Sequence, residues 1–370
     1  MSGPHLKLVK EEPPQEKVNL AIIGTGYWGP NMVRSFLEDS RVNLKLICDK
    51  DEERLNFVSR HFRGLEVTSD SSQVINNPEI DAVVICTPTT SHYTLAKSCL
   101  KKGKHVLVEK PMATTSEECR DLIAIAEKNR LKLMVGHIFL YNPGVKYIAD
   151  LIESGELGDI VYLYGARTNL GPIRTDVNVL WDLAPHDISI FNFWMKSEPV
   201  AVNAIGKTYL STKCHDVVFA SLKYPGDVVG NLHLSWLDPR KTRQIVIVGS
   251  KQMVTFNDLD PVGSVYIYDK RVDKVTRNNE RVVDGVQDYK MIIQEGKLTV
   301  PKIQASEPLR LECRAFIDWL IDDKKPASPG ENGLAVVRVL EAADRVLQSE
   351  QGWAPVDEIP NLSKKLGAAS

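Results

Sequence analysis

The chain predicts an α/β protein, with a doubly wound parallel sheet first and then a second α/β unit on a mostly antiparallel sheet. Three observations carry that expectation. Strands and helices alternate at regular spacing from Val18 to Val135, the pattern of a parallel sheet covered on both faces. After residue 159, strand-like runs follow one another through short turns such as Tyr224-Pro225-Gly226-Asp227, which indicates antiparallel pairing. The chain also has 370 residues, more than one ordinary core organises, so two domains are expected.

Each element has its own signal. Val18 to Ile23 is a short apolar run ending in glycines, a strand feeding a tight turn. A helix from about Pro30 to Glu38 follows, then a strand from Val42 to Cys48 ending at Asp49, and a helix from Asp51 to His61. Asp81 to Cys86 reads as a buried strand, and Ser91 to Lys102 as a helix with Leu95, Ala96, Cys99 and Leu100 on one face. His105 to Glu109, Ser116 to Asn129 and Leu131 to Val135 continue the alternation. Strands are then expected at 159–168, 200–210, 217–224, 228–237 and 244–256, with closing helices at about 307–322 and 333–349. A boundary near residue 140, around Tyr141-Asn142-Pro143-Gly144, divides the chain into domains at 18–140 and 141–355. Residues 1–17 are polar, charged and proline-containing and read as a flexible tail, as do residues 356–370.

Composition removes several function classes. Apolar residues make up 43% and charged residues 25%, as in ordinary soluble domains. A net charge of −2 lacks the basic excess that a nucleic-acid binder needs. No apolar run is long enough to cross a bilayer, and the first 17 residues hold no signal-peptide stretch. The six cysteines are scattered without a CxxC pair, the usage of a reducing compartment, so a cytoplasmic location is expected. The eight histidines do not cluster with cysteines or carboxylates, so no metal is expected. His215-Asp216, at the start of a strand, reads as surface.

The segment Gly24-Thr25-Gly26-Tyr27-Trp28-Gly29 follows a strand and opens a helix. In that context the glycines allow a tight turn and close approach of a pyrophosphate to the helix N-terminus. Asp49 ends the next strand, where a carboxylate accepts hydrogen bonds from adenosine ribose hydroxyls. It would repel a 2′-phosphate, which favours NAD over NADP, and the adjacent Lys50 offsets part of that preference. Thr87-Pro88 is expected at the nicotinamide end of the cleft. His92 reads either as a cofactor contact or as a helix-opening histidine without a ligand.

Oxidising an alcohol requires a group to take the hydroxyl proton and a positive charge near the developing alkoxide. Lys110, in Glu109-Lys110-Pro111 at the end of an apolar strand, stands where α/β proteins place chemistry. Burial would lower its pKa, and Pro111 permits a cis peptide. Asp182 and His186, one helical turn apart, form a second pair. The carboxylate orients the imidazole or shares the substrate hydroxyl; alternatively Asp182 caps its helix and His186 packs beside it.

The glycine segment, Cys86-Thr87-Pro88 with His92, Gly103-Lys104-His105-Val106 running into Glu109-Lys110-Pro111, and Asp182…His186 together resemble the glucose–fructose oxidoreductase/inositol dehydrogenase/MocA family, from Val18 to about Trp353. The resemblance implies a Rossmann domain, then a substrate-binding and oligomerising α/β domain with a large open sheet, in a homodimer or homotetramer. It implies Lys110 and His186 as the catalytic pair with Asp182 assisting, and Glu109 and Lys110 beside the nicotinamide ribose. Gly136-His137 and Asn142-Pro143 match the family's next segment, but Phe139-Leu140-Tyr141 stands where the family often has an arginine before its aromatic residue. Gly29-Pro30-Asn31 and Asn178-Val179-Leu180-Trp181-Asp182 resemble members that oxidise the 3-hydroxyl of UDP-N-acetylglucosamine or its uronate. Asn142, Arg167, Asn169, Arg174 and Trp181 are the expected substrate contacts; for the arginines the alternative is solvation on a loop. An NAD-using glycosidase with transient oxidation and a cofactor-sensing regulator are the other functions this resemblance leaves open.

Overall fold

The computed structural model describes residues 17–174, 177–210, 214–275, 290–349 and 354–355. The two expected tails, 356–370 and all but Lys17 of 1–17, lie outside the described residues.

The first unit runs β1 (Val18–Ile23), α1 (Gly29–Leu37), β2 (Val42–Cys48), α2 (Glu52–His61), β3 (Glu66–Thr68), α3 (Ser71–Asn76), β4 (Ala82–Ile85), α4 (His92–Lys101), β5 (His105–Glu109), α5 (Ser116–Lys128) and β6 (Leu133–Gly136). Its six strands are parallel in the order β3-β2-β1-β4-β5-β6. The order reverses between β1 and β4, the switch point where such sheets bind ligands at their carboxyl edge. Register brings Ile23 beside Cys48 and Ile85, Ile85 beside Val108, and Glu109 beside Gly136. Gly24, Asp49, Cys86, Lys110 and His137 therefore follow directly along one edge. β3 and α3 were not foreseen; three residues are too few to display a period of two.

The second unit continues with α6 (Pro143–Glu153), β7 (Ile160–Leu170), α7 (Val179–Met195), β8 (Ala201–Lys207), β9 (Val217–Lys223), β10 (Val229–Ser235), β11 (Leu237–Gly249), β12 (Met253–Asn257), β13 (Val265–Val275), β14 (Lys290–Thr299), α8 (Pro308–Asp322), α9 (Gly330–Ser349) and β15 (Ala354–Pro355). Nine strands form one sheet in the order β14-β13-β12-β11-β7-β10-β9-β8-β15. All pairs are antiparallel except β10 with β7. The strand expected at 244–256 is a hairpin: the chain turns after Gly249, whose N–H donates to the Gln252 carbonyl. The two apolar runs either side of Ser250-Lys251-Gln252 had merged into one.

One face of this sheet packs on α6, α7 and α9; Phe191 of α7 sits against Gly165 and Gly230. α8 and α9 also reach back to the first unit, α8 against α1 and α9 against α5 and β6. Arg34 pairs with Glu307, and Arg41 with Asp318 at 2.7 Å, across that junction. One continuous apolar core thus runs from Leu20, Met32 and Phe36 to Phe316, Val336 and Leu340. Among the described residues no helix is long and apolar enough to cross a membrane.

Candidate active site

The glycine loop has the shape its residues dictate. Gly24 has a φ of +99°, and a Cβ there would lie 2.6 Å from the Cys86 carbonyl carbon; no side chain fits. A Cβ on Gly29 would meet the Gly24 carbonyl oxygen at 2.6 Å. Gly26 has open space instead, with the Arg54 guanidinium nearest at 3.5 Å. The loop thus closes on itself through Gly24 and Gly29 and leaves Gly26 clear at the start of α1. Tyr27 is 87% exposed and meets Trp28 edge to face.

Asp49 is tied to that loop. Its Oδ2 accepts from the Thr25 backbone N–H at 2.5 Å and the Thr25 hydroxyl at 2.8 Å, and Oδ1 from the Asp51 N–H at 2.9 Å. Burial raises the cost of its charge, but these donors outweigh it and keep the pKa below the usual carboxylate value. Arg54 lies 3.9 Å away. A cavity of about 950 Å³ opens here, lined by Gly24, Gly26, Tyr27, Asp49 and Lys50 at one end. Thr87, Pro88 and Arg174 also line it. A glycine turn opening a helix, a fixed carboxylate and a volume of this size fit a dinucleotide.

Lys110 and His186 converge from separate segments. The Lys110 ammonium donates to the Asp182 backbone carbonyl at 2.9 Å, in the turn of α7 that carries His186. Pro185 lies inside this helix and has no N–H to give, so the ladder is interrupted here. Burial lowers the Lys110 pKa first; Asp182 and Glu109 pull it back up, while Arg174 and Arg167 push it down. His186 is driven well below an ordinary imidazole by burial, then by Lys110 and Arg167, and its Nδ1 has no hydrogen-bond partner. Asp182 does not cap α7: Asn178 does, accepting from the Trp181 N–H at 3.0 Å. The Asp182 carboxylate takes Arg174 at 3.1 Å and the Trp236 indole N–H at 3.2 Å. Its role in orienting His186 finds no bond among the described contacts.

The other expected residues divide. His92 is a buried link between backbone carbonyls, not a cavity-lining group. Asn142 spends its carbonyl capping α6 through the Gly144 N–H and its amide on Asp258. Arg167 is not solvated: its guanidinium makes two bonds to Asp187, at 3.1 and 2.7 Å, and lies 4.6 Å over the Phe139 ring. Phe139 in turn meets His186 edge-on at 5.0 Å. A guanidinium from β7 therefore stands beside the position where the family often carries an arginine. Asn169 donates to the Gly171 carbonyl, and Trp181 packs between the two apolar cores. Asp216, read as surface, is fully buried and accepts the Tyr209 and Leu210 N–H groups; the polar letters hid a loop brace.

His137, Glu312 and Trp236 were not expected as site residues. His137 follows β6 beside Glu109, is 1% exposed, and has no partner at either ring nitrogen; burial and then Lys110 bring its pKa down to about 3. Glu312 of α8 is buried with neither carboxylate oxygen partnered, and burial with Glu109 nearby raises its pKa well above the usual value. Burial raises Glu109 to about 7 although Lys110 opposes this. Trp236, between β10 and β11, donates its indole N–H to Asp182. For His137 its place directly after the β6 glycine was the available signal; Glu312 and Trp236 offered none.

Known proteins share both units. Residues 18–137 match the oxidoreductase family with an NAD-binding Rossmann fold, and residues 145–255 the GFO/IDH/MocA C-terminal domain. The UDP-N-acetylglucosamine 3-dehydrogenase of Acidithiobacillus ferrooxidans is 28% identical over 80% of this chain and 97% of its own length. An uncharacterized oxidoreductase of Streptococcus pneumoniae is 29% identical over 56% of this chain, which spans only 59% of that protein. Among solved structures, GenD2 from gentamicin A biosynthesis, in complex with NAD, superposes with a TM-score of 0.77 over 95% of this chain and 100% of its own, at 21% identity; at that identity the likeness is one of fold. With both of its domains matched in sequence, the chain belongs to the Gfo/Idh/MocA family of NAD-binding oxidoreductases and is a dehydrogenase.

Proposed function

We propose that this enzyme oxidises a secondary hydroxyl of a sugar or nucleotide sugar, with Lys110 and His186 handling the hydroxyl proton. The observation that carries the reading is the half-buried Lys110 ammonium at the carboxyl edge of the parallel sheet, bonded into the turn of α7 that bears His186. When bound, NAD supplies the hydride acceptor. Lys110 supplies a base whose neutral form burial favours, and in its charged form a positive partner for alkoxide oxygen. His186 is held neutral by burial, so its imidazole is able to take the hydroxyl proton. Asp182, anchored by Arg174 and Trp236, keeps the helix turn in place. Gly24, Gly26, Gly29, Thr25, Tyr27, Trp28, Asp49, Lys50, Thr87, Pro88 and Glu109 would border the dinucleotide, with Asp49 disfavouring a 2′-phosphate and hence NADP.

The finer reading is a UDP-N-acetylhexosamine or its uronate, oxidised at the 3-hydroxyl. Similarity to the A. ferrooxidans enzyme of that name, across nearly its whole length, supports it. Arg174 at the cavity and Asn169 at the end of β7 are the substrate contacts in this reading. Six free cysteines accord with a cytoplasmic enzyme, and the open face of the nine-stranded sheet would build a homodimer or homotetramer. The test is a panel of UDP-sugars, UDP-uronates, free hexoses and inositols with NAD and NADP, followed by reduced-nicotinamide absorbance. NADH formation with UDP-N-acetylhexosamines is expected. Glycoside cleavage without NADH accumulation, or no turnover with any member, would overturn net oxidation of a sugar.

A further inference from the structure

His92 opens α4 and is 1% exposed, outside the cavity lining. Its Nδ1 lies 2.8 Å from the Pro111 carbonyl oxygen and its Nε2 2.8 Å from the Thr87 carbonyl oxygen. Those oxygens belong to the segments that leave neighbouring strands: Thr87 follows β4 and lines the cofactor cavity, and Pro111 directly follows Lys110. The β4–β5 pairing ends with Ile85 beside Val108. Beyond it, among the described side-chain bonds, the imidazole alone joins residues 86–92 to residues 110–114.

We infer that His92 is a positioning residue, a clasp that sets Lys110 at a fixed distance from the nicotinamide end of the cofactor cleft by joining the Thr87 segment to the Pro111 carbonyl. The geometry needs such a clasp. Lys110 follows Glu109, the last residue of β5 paired to β6, beyond the end of the β4–β5 ladder, and its own side chain is anchored at the Asp182 carbonyl. A base displaced by about 1 Å loses on the order of a hundredfold in rate. The two partners also suit a histidine. Both are acceptors only; burial lowers the ring's pKa and favours the neutral form, whose single N–H donates to one carbonyl, and a bond to Pro111 joins the two segments on its own. Phenylalanine would fill the same space and hold neither carbonyl; glutamine offers an amide that holds one.

This inference rests on Lys110 being the catalytic base, and the experiment separates the two. His92→Phe and His92→Gln are compared with the parent enzyme for kcat, NAD dissociation constant and thermal midpoint, using whichever panel sugar turns over. Acetic anhydride labelling of Lys110, read by peptide mass spectrometry on cofactor-free protein, needs no turnover. His92→Phe should raise Lys110 labelling about fivefold and lower kcat about tenfold while NAD affinity stays within about threefold, and His92→Gln should recover about half of each change on a logarithmic scale. Unchanged Lys110 labelling in His92→Phe overturns the clasp, whatever the activity. So does a loss of kcat and NAD affinity in equal proportion that His92→Gln does not relieve. Full turnover by Lys110→Met would instead remove the lysine from the chemistry and leave the labelling result to decide His92.

Discussion

Lys110 is surrounded by groups that disagree about its charge. Burial, Arg174 and Arg167 drive the proton off; Asp182 and Glu109 hold it on, and the first set wins. A base that works as the neutral amine gives a kcat that rises with pH, with its midpoint below the ordinary lysine value of 10.5. Lys110→Met should cost about 10²–10⁴-fold in kcat and leave NAD binding, measured by fluorescence titration, unchanged. A second consequence concerns Glu109, whose folded-state pKa is raised from 4.5 to about 7. Such a carboxyl binds more protons folded than unfolded, so its contribution is complete below 4.5 and lost as pH climbs through about 7. The Tm of the cofactor-free protein should fall between pH 5 and 8, and Glu109→Gln should flatten that fall. An unchanged slope in the variant would remove Glu109 as its source. Single residues such as Lys110 and Asp49 were legible in the sequence because each ends an apolar strand run, where the next residue must stand at the sheet edge. His137 and Glu312 were not, since their meaning comes from missing partners, and partners are a property of the folded chain.

At the level of elements, α7 links helix capping to chemistry. Asn178 accepts the Trp181 N–H and donates to Asp344 of α9 at 2.9 Å, fixing both the start of α7 and its seat. Asn178→Ala should lower stability by about 1 kcal/mol, and the shift of Asp182 and His186 should lower kcat in a protein that still binds NAD. A Tm drop with kcat unchanged would show that the cap does not reach the site. Sequence reading placed the cap on Asp182 because an aspartate before an apolar helical run is the usual signal, yet an asparagine stood one turn earlier. Apart from β3 and α3, the elements of the alternating first unit were read to within two residues, since buried parallel strands are unbroken apolar runs. α6 was missed because Asn142-Pro143-Gly144 looks like a linker; there Asn142 is a cap and Pro143 a first-turn residue. β13 and β14 were missed as well: runs such as Tyr268-Asp269-Lys270-Arg271 carry too much charge to read as strands.

For the whole molecule, the linear division at residue 140 describes the sheets but not the packing. α8 and α9, far along the chain, cover helices and strands of the first unit, so its core is completed by the last described helices. No local pattern could announce that, because an amphipathic helix does not name the surface it covers. The open side of the nine-stranded sheet raises the opposite question, an apolar face that no helix covers among the described residues. Pairing registers Ile205 beside Phe219, Phe219 beside His233, and Val229 beside Tyr162 on that side. Ile205 is 67% exposed, Phe219 49% and Tyr162 43%, and Phe219 stacks on His233 at 4.5 Å. An exposed apolar stripe across several strands is costly in water, and a monomer seldom carries one. Such a stripe suits a second copy of the same sheet, since a two-fold contact places each patch on its equal. Light scattering after size exclusion should therefore give a dimer or tetramer at micromolar concentration. Ile205→Asp with Phe219→Asp should yield monomers with Tm lowered by only a few degrees, because both side chains already face outward. A wild-type monomer across that range, or an assembly indifferent to both charges, would place the subunit contact elsewhere on the molecule.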